Sequence, residues 1–215
     1  MGNPIPTKDR IKYLGSILSQ DGRMGTELNH RLGAARSEFD KLRKVWNHTS
    51  ITRARKYEIF TACVITKLLY CLNTTWLNKA ELCKLDAFQA RCLRQLAGIK
   101  PSFISHVTNE YVRSLFDATL LSRSLLEQQL LYFGHIASKP TGDVMRDSIF
   151  TANSFSLHEF TGKRRRGRPR DTWSVKLHKI AIDVAGSLAS LENMLASSPV
   201  AKAAWRRQVA RYCRS

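Results

Sequence analysis

The first long hydrophobic pattern in the chain has the period of an α-helix. Between Met24 and Trp46, apolar residues recur at steps of three or four, which places them on one face of a helix. Most of the basic residues in this stretch lie off that face. The pattern therefore predicts one long amphipathic helix. Its apolar positions are Met24, Leu28, Leu32, Ala35, Phe39, Leu42 and Trp46.

Two further helices are predicted before residue 100. Ser50 is a candidate N-cap for the first of them, which ends near Trp76. Asn78 and Glu81 have the spacing of a capping box at the start of the next helix, and Gly98 supplies its stop signal. Three such helices with short connections favour an antiparallel bundle. The apolar faces hold Tyr57, Phe60, Val64 and Leu68 in one helix, and Leu82, Leu85, Phe88, Cys92 and Leu96 in the other.

The middle of the chain is also predicted to be helical. Residues 102–138 contain two helical patterns, and the second, over residues 120–136, is apolar over much of its girth. Such a helix is typical of a central, buried position. A short helix or an extended segment is expected near residues 145–150, and longer helices over 172–185 and 187–196.

A last helix begins at Ser198 and Pro199, a cap followed by the residue that favours a first helical turn. Trp205 and Val209 share one face of this helix. Arginines occupy other positions and are expected to be exposed. They are Arg206, Arg207 and Arg211.

Residues 7–19 carry the only convincing β pattern. Gly15 interrupts it and suggests a bulge or a close backbone approach, and Asp21-Gly22 predicts a turn. An isolated hairpin is marginally stable in water, so this one must pack on another part of the protein. The predicted fold class is therefore mostly α with a short N-terminal β-hairpin. The strand-forming residues are Ile11, Tyr13, Ile17 and Leu18.

The charge of the chain changes this picture, because it is large and unevenly distributed. The formal net charge is +18. Residues 1–100 carry 18 Lys/Arg and 8 Asp/Glu, residues 101–160 carry 4 and 6, and residues 161–215 carry 13 and 3. A polyanion that contacts both basic blocks would release counterions from each, with a steep dependence on salt. The distribution favours a nucleic acid as partner.

Other partners and compartments are less compatible with the composition. No apolar run approaches the roughly 20 residues that cross a membrane, so no membrane partner is expected. The N-terminus has Pro4 and Pro6 and no apolar core of a secretory signal. Five cysteines, an odd number, argue against a disulfide framework. We expect an intracellular protein, nuclear or cytoplasmic, that is not secreted.

The densest basic segment lies between Gly162 and Trp173. Six cations fall within eight residues, which favours an extended, solvated conformation. Gly167 lets the backbone approach a surface closely, and Pro169 holds the preceding residue extended. The cations are Lys163, Arg164, Arg165, Arg166, Arg168 and Arg170.

Three interpretations of this segment remain open. Arg166-Gly167-Arg168-Pro169 has the shape of an AT-hook core, in which the two arginines enter the minor groove of A·T-rich DNA. The same residues are compatible with a nuclear localisation signal. A plain basic loop is the third interpretation.

The sequence contains no recognisable catalytic motif. It has no phosphate-binding Walker loop, no nucleophile elbow and no zinc-protease signature. Polymerases and nucleases that use two metal ions need clustered carboxylates, and the pair Asp143 and Asp147 is better explained as solvated surface. We expect no catalytic residues, no metal, no cofactor and no small-molecule substrate.

Six short motifs follow one another in order along nearly the whole chain. They are Tyr13-Leu14-Gly15 with Asp21-Gly22; Lys67-Leu68-Leu69-Tyr70 with Thr75-Trp76; Phe88-Gln89-Ala90-Arg91-Cys92-Leu93-Arg94; Phe133-Gly134-His135-Ile136; the basic run from Gly162 to Pro169 with Trp173; and Ala204-Trp205-Arg206-Arg207. This series resembles the region that follows the catalytic palm in the reverse transcriptases of non-LTR (LINE-type) retrotransposons.

The resemblance implies a role for each part of the chain. Lys12 to Ile17 would form the primer-grip hairpin, and residues 24–97 the thumb that follows the minor groove of the template and primer. The polymerase aspartates of the family lie upstream of Tyr13, so we expect a C-terminal fragment without catalysis of its own. Gln128 and Tyr132 stand where many relatives have a basic residue and a tryptophan.

The resemblance also divides the chain into segments. They are a primer-grip-like hairpin (1–22), a thumb-like helical bundle (23–98), a second helical region (99–150), a basic linker with the AT-hook-like motif (151–171) and C-terminal helices (172–215).

The leading prediction is non-catalytic binding of RNA or DNA, as template-primer or as target. One alternative is a part of an RNA-directed DNA polymerase that acts with a separate palm, and another is an inert retroelement relic. The predicted contacts are Lys12, Arg31, Arg36, Arg43, Lys163, Arg164, Arg165, Arg166, Gly167, Arg168, Pro169, Arg170, Arg206 and Arg207.

Overall fold

A computed structural model describes residues 8–20, 24–158 and 172–214. These residues are mostly helical and include one two-stranded antiparallel sheet near the N-terminus, which confirms the predicted fold class. The chain divides into two compact units, Met1–Ser122 and Arg123–Ser215, called unit 1 and unit 2 below. Each unit is described separately below.

The hairpin consists of β1 (Arg10–Tyr13) and β2 (Ser16–Ser19). Ile11 pairs with Leu18 across the two strands. Leu14 and Gly15 form the turn with φ values of +46° and +80°, the combination of positive angles that a tight hairpin turn requires. The prediction of a bulge at Gly15 was wrong, since this glycine makes the turn itself. The predicted Asp21-Gly22 turn lies outside the described residues.

The predicted long helix is two helices, α1 (Gly25–Lys41) and α2 (Arg43–Asn47). Leu42 leaves the helical conformation, with φ −86° and ψ +12°. The Trp46 indole Nε1 donates a hydrogen bond of 2.7 Å to the Phe39 carbonyl, and their rings stack 5.2 Å apart. The bend therefore lets Trp46 fold back onto α1, which the periodic pattern alone did not show.

The second predicted helix differs from the expectation at both ends. It comprises α3 (Arg53–Phe60), a π-helical segment (Thr61–Ile65) and α4 (Thr66–Leu69), and a 3₁₀ turn (Leu72–Thr74) follows. The N-cap is Thr52, whose hydroxyl accepts from the Arg55 amide at 3.3 Å, and not Ser50. Cys71, at φ +63°, ends the helical path before the predicted limit at Trp76.

Helix α5 (Lys79–Leu96) confirms the predicted capping box and stop signal. The Glu81 amide donates to the Asn78 side chain at 3.0 Å, and the Asn78 amide donates to Glu81 at 2.8 Å. Gly98 follows in the left-handed conformation, φ +68°. The fully buried residues of unit 1 include Leu28, Phe60, Leu68, Leu72, Leu85 and Leu93.

Two short helices, α6 (Ser102–Ser105) and α7 (Asn109–Ser114), occupy the place of the single predicted helix before residue 120. Arg94 of α5 binds the segment around α7 to α5 by hydrogen bonds. Its buried guanidinium donates to the Val107 carbonyl at 2.6 Å and to the Asn109 side chain at 2.8 Å. The sequence pattern did not reveal this contact, because it joins residues far apart in the chain.

Unit 2 is built around α8 (Leu121–Ala137), most of which it contains. Around it are α9 (Val144–Asp147), α10 (Trp173–Ala185), α11 (Leu188–Leu195) and α12 (Pro199–Arg214). The Phe133 ring on α8 is fully buried and contacts aromatic rings on other elements. Its aromatic neighbours are Phe150, Trp173 and His178.

Candidate nucleic-acid interface

Helix α12 separates apolar and basic side chains by their positions along the helix. The apolar residues recur every four positions and are buried. They are Ala201, Trp205, Val209 and Cys213. The basic residues lie at the remaining positions and are exposed: Lys202, Arg206, Arg207, Arg211 and Arg214. The helix contains no acidic residue, so all the charged groups on its outer surface are basic.

The ends of α12 suit this charge distribution. The Ser198 hydroxyl accepts from the Ala201 amide at 3.1 Å and caps the N-terminus. Arg211 and Arg214 lie in the last turn, where cations interact favourably with the helix dipole. The side-chain cap at the N-terminus and the cations at the C-terminus therefore both stabilise the helix.

Trp205 sets the rotation of α12 in unit 2. It is 4% exposed, and its indole Nε1 donates to the Leu130 carbonyl of α8 at 3.2 Å. Gly134 on α8 makes this approach possible, since a Cβ at this position would lie 2.2 Å from the indole nitrogen. The structure thus brings together two motifs that are 71 positions apart, and the neighbours of Trp205 in sequence, Arg206 and Arg207, are turned outward.

The cations of α12 are not neutralised within the described part of the protein. None of the five side chains forms a hydrogen bond or an ion pair with another described residue. Pairing of exposed charges contributes little to stability, but it does occupy donors. The guanidinium groups of α12 are thus available to an external anion.

A shallow groove lies between α11 and α12. It has a volume of about 220 Å³ and is lined by Met194, Ala204, Arg207, Gln208 and Arg211. Two arginines one helical turn apart therefore stand beside an apolar surface from Met194 and Ala204. This arrangement combines anion binding with a place for an apolar group.

Arg31, one of the predicted contacts, has another role in the structure. It is 6% exposed, and its Nε donates to Glu27 at 2.6 Å while its Nη2 donates to the Gly15 carbonyl at 2.8 Å. Its guanidinium also lies 4.6 Å from the centre of the Tyr70 ring. Arg31 was expected to lie off the apolar face of its helix, but it packs beneath the hairpin and ties the hairpin to α1.

The acid in this pair is held in its charged form. Burial opposes ionisation of Glu27, but hydrogen bonds from the Ile17 amide, Arg31 and Ser16 outweigh it and lower the pKa of the carboxyl. The Ile17 amide lies 2.6 Å from the carboxylate and the Ser16 hydroxyl 2.9 Å. The hairpin therefore packs on α1 through a buried charge network.

The other predicted contacts in unit 1 are exposed, but each lies on a different helix or strand. Lys12 lies on β1, Arg36 on α1 and Arg43 at the first position of α2. Arg36 and Arg91 lie near the buried Cys92 thiol, together with Asp40; burial raises the pKa of this thiol to about 12. Arg36 is thus accompanied by an acid, Asp40.

The predicted AT-hook-like segment, Lys163 to Arg170, lies outside the described residues. The residues that flank it are placed in unit 2. Trp173 contacts Tyr132 and Phe133 at ring distances of 6.0 and 6.1 Å. On the other side, Phe155 contacts Phe150 at 5.9 Å.

The prediction from sequence missed part of the α12 surface. Lys202, Arg211 and Arg214 belong to it, although only Arg206 and Arg207 were named as contacts. A signal was present, since five cations and no acid fall within the sixteen residues of Pro199–Arg214. Counting charge over the whole helix would have found them.

Burial shifts the pKa values of two titratable groups in unit 2. Burial raises the pKa of the Cys213 thiol, on the inner face of α12, to about 11. Burial also lowers the pKa of His178 on α10, although a hydrogen bond with the Phe155 backbone acts in the opposite direction. Both groups are therefore expected to be neutral at pH 7.

Within residues 8–20, 24–158 and 172–214, no three His, Cys, Asp or Glu side chains are grouped so as to hold a metal ion. None of the helices in these ranges is long and apolar enough to cross a membrane.

Compared with models of protein families, with curated proteins and with solved structures, the chain has no match.

Proposed function

We propose that the protein binds RNA or DNA without catalysing a reaction on its own, and that helix α12 supplies the main contacts. The observation that carries the proposal is the outer surface of α12, on which five cations lack any partner among the described residues. Contacts between cations and phosphates supply most of the non-specific affinity of proteins for nucleic acids.

The fixed position of α12 adds to this argument. The Trp205 indole, hydrogen-bonded to Leu130, holds the helix in one rotation, so its cations share a surface without the need to order a flexible chain. Arg206 and Arg207 are neighbours, and Arg207 and Arg211 are one turn apart, a spacing of about 5–6 Å between their Cβ atoms. Adjacent phosphates of one strand can be reached from such a row.

The order of the six motifs supports descent of this region from a non-LTR retrotransposon reverse transcriptase. In the proposal, the basic block over residues 161–215, with 13 Lys/Arg and 3 Asp/Glu, contacts a template-primer or a target DNA. Phosphate contacts position the protein and carry no sequence information by themselves. Binding through α12 is therefore expected to tolerate different sequences.

The contribution of α12 to binding is tested with two variants of the full-length protein, each of which lacks three cations. The triple variant Arg206→Ala, Arg207→Ala, Arg211→Ala loses unpaired cations of α12. Affinity for a labelled nucleic acid should fall at least tenfold at low salt, and the salt slope by about three, roughly one for each lost phosphate contact.

A matched control removes the same charge from cations that already have partners in unit 1. The variant Lys41→Ala, Arg55→Ala, Lys67→Ala breaks ion pairs with Glu38 and Glu58. It should change affinity far less than the α12 variant. Equal losses in the two variants would mean that only net charge matters, and no binding by the unmodified protein would refute the proposal.

A second candidate function is a part of a polymerase that works with a separate palm. The hairpin favours it, because Ile11, Tyr13 and Leu18 are each more than half exposed and lie on one face of the two strands. Exposed apolar patches often mark protein contacts. Primer extension should be absent with the protein alone; extension only after addition of a palm-containing fragment would favour this candidate.

A further inference from the structure

The groove between α11 and α12 differs from a plain basic surface, because part of its lining is apolar. Met194 extends from α11 and Ala204 from α12, and Arg207, Gln208 and Arg211 complete the lining. Phosphates alone would not require the apolar part. An anionic ligand that also presents a flat apolar group would contact the whole lining.

The size of the groove limits that ligand. Its volume, about 220 Å³, is below the roughly 300–1,000 Å³ of sites that enclose drug-sized molecules. One ring system would fill the groove, whereas a whole dinucleotide cofactor is too large to fit in it. The thioether of Met194 makes favourable contacts with aromatic rings, and a guanidinium plane can stack on a nucleobase.

The polar atoms are suited to a nucleotide in particular. Arg207 and Arg211, one turn apart on α12, can contact the phosphates on either side of an inserted base. The amide of Gln208, which also lines the groove, offers both a donor and an acceptor to the edge of a base. The apolar side chains, the two cations and the amide thus match the face of a base, its neighbouring phosphates and its edge.

We infer that this groove accepts one unstacked base of a single-stranded nucleic acid, with Arg207 and Arg211 on the neighbouring phosphates and Gln208 at the edge of the base. The inference rests on the proposed function and makes it more specific. A duplex keeps its bases stacked and paired, and extruding one costs free energy. Single strands therefore gain a contact that duplexes lack.

The test fills the groove without changing charge. Ala204→Leu places a larger side chain in the groove, and Ala203→Leu, its matched control, places the same side chain at an exposed neighbouring position outside the lining. The probes are labelled oligo(dT), a DNA duplex of equal length, and inorganic polyphosphate as a polyanion without bases. Thermal unfolding of each variant is measured first.

With a base in the groove, Ala204→Leu weakens binding of oligo(dT) about tenfold, the order of one lost base-stacking contact. Binding of the duplex and of polyphosphate stays within about twofold, and Ala203→Leu leaves all three unchanged. Unchanged binding of oligo(dT) by Ala204→Leu, or an equal loss on all three probes, overturns the inference while the proposed function stands. If the unmodified protein binds neither oligo(dT) nor duplex, both the inference and the proposed function are refuted.

A second variant covers the case in which Ala204→Leu does not fold. Gln208→Ala keeps the charge and favours the helix, and it removes the contact with the base edge. It should weaken oligo(dT) binding about threefold, as for a lost neutral hydrogen bond, and leave duplex binding unchanged. Equal binding of oligo(dT) by Gln208→Ala and the unmodified protein overturns the inference.

Discussion

Helices α1 and α12 both carry residues that the sequence predicted as nucleic-acid contacts, but they use their charges differently. Helix α1 has three acids and three cations, whereas α12 has five cations and no acid. Arg31 of α1 is buried against Glu27, and Lys41 is paired with Glu38. The cations of α12 have no such partners among the described residues. The number of basic residues in a segment therefore does not identify a binding surface, since nearby acids decide which cations remain available.

The largest expected effect is a difference in unfolding free energy between a variant of α1 and a variant of α12. Glu27→Ala leaves the buried guanidinium of Arg31 without its partner, which should cost about 3–5 kcal/mol of unfolding free energy. Arg207→Ala removes an exposed, unpaired cation and should change that energy by no more than about 0.5 kcal/mol. Urea unfolding followed by circular dichroism measures both. Similar losses in the two variants would contradict the assigned roles.

The next effect tests how α12 is held. A Cβ on Gly134 would lie 2.2 Å from the Trp205 indole nitrogen, so Gly134→Ala should destabilise unit 2 by about 1–3 kcal/mol through overpacking.

Gly33→Ala is the matched control on α1, where no atom lies within 4 Å of the added Cβ. Alanine is the better helix former, so this change should stabilise the protein by up to about 0.5–1 kcal/mol. Opposite signs in thermal melts would support the packing of α12 on α8. A neutral Gly134→Ala would show that Trp205 does not depend on the glycine.

The two units should also respond to acid in different pH ranges. The pKa of His178 is lowered from 6.5 by burial, so the unfolded chain binds its proton more readily than the folded protein does. The stability of unit 2 should therefore fall as the pH decreases from about 6.5 through the lower folded pKa. The lowered pKa of Glu27 acts in unit 1 only below the ordinary range of a glutamate, about 4.3.

His178→Gln removes the first of these titrations and keeps a polar side chain. As the pH is lowered from about 8 to 5, the melting temperature of the unmodified protein should fall, in line with proton linkage. The melting temperature of His178→Gln should change less over the same range. The same slope in both proteins would rule out His178 as its source.

The smallest expected effect comes from a change that makes the cations near α1 unpaired, like those of α12. Glu38 of α1 pairs with Lys41 and Lys67, at 3.5 and 2.7 Å, and these ion pairs lower the pKa of its carboxyl, with the Lys67 hydrogen bond as the largest cause. Glu38→Gln should release both cations and raise affinity for a polyanion about two- to threefold at low salt. Lower affinity would mean that these lysines do not reach the ligand.

Local chemistry made much of the fold predictable. The capping pair Asn78 and Glu81, the stop at Gly98 and the apolar spacing of α5 and α8 each depend on residues within a few turns of one another. Such signals are present in the sequence itself. The amphipathic pattern of α12, with Trp205 inside and Arg206 and Arg207 outside, was predictable for the same reason.

Contacts that apolar spacing does not show decided the rest. The bend at Leu42 brings Trp46 back onto Phe39, and the Gly15 carbonyl at the hairpin turn accepts from the buried Arg31. The i,i+4 spacing of Glu27 and Arg31 allows an ion pair within α1. Spacing cannot show that the hairpin binds this pair, or that Lys67 reaches Glu38 from another helix, because those contacts are made by packing. The sequence by itself determined most of the helices, the basic composition of α12 and the outward positions of Arg206 and Arg207. Tertiary structure alone decided that Arg31 is buried beneath the hairpin and that no described acid from another element pairs with the cations of α12, since packing makes such contacts.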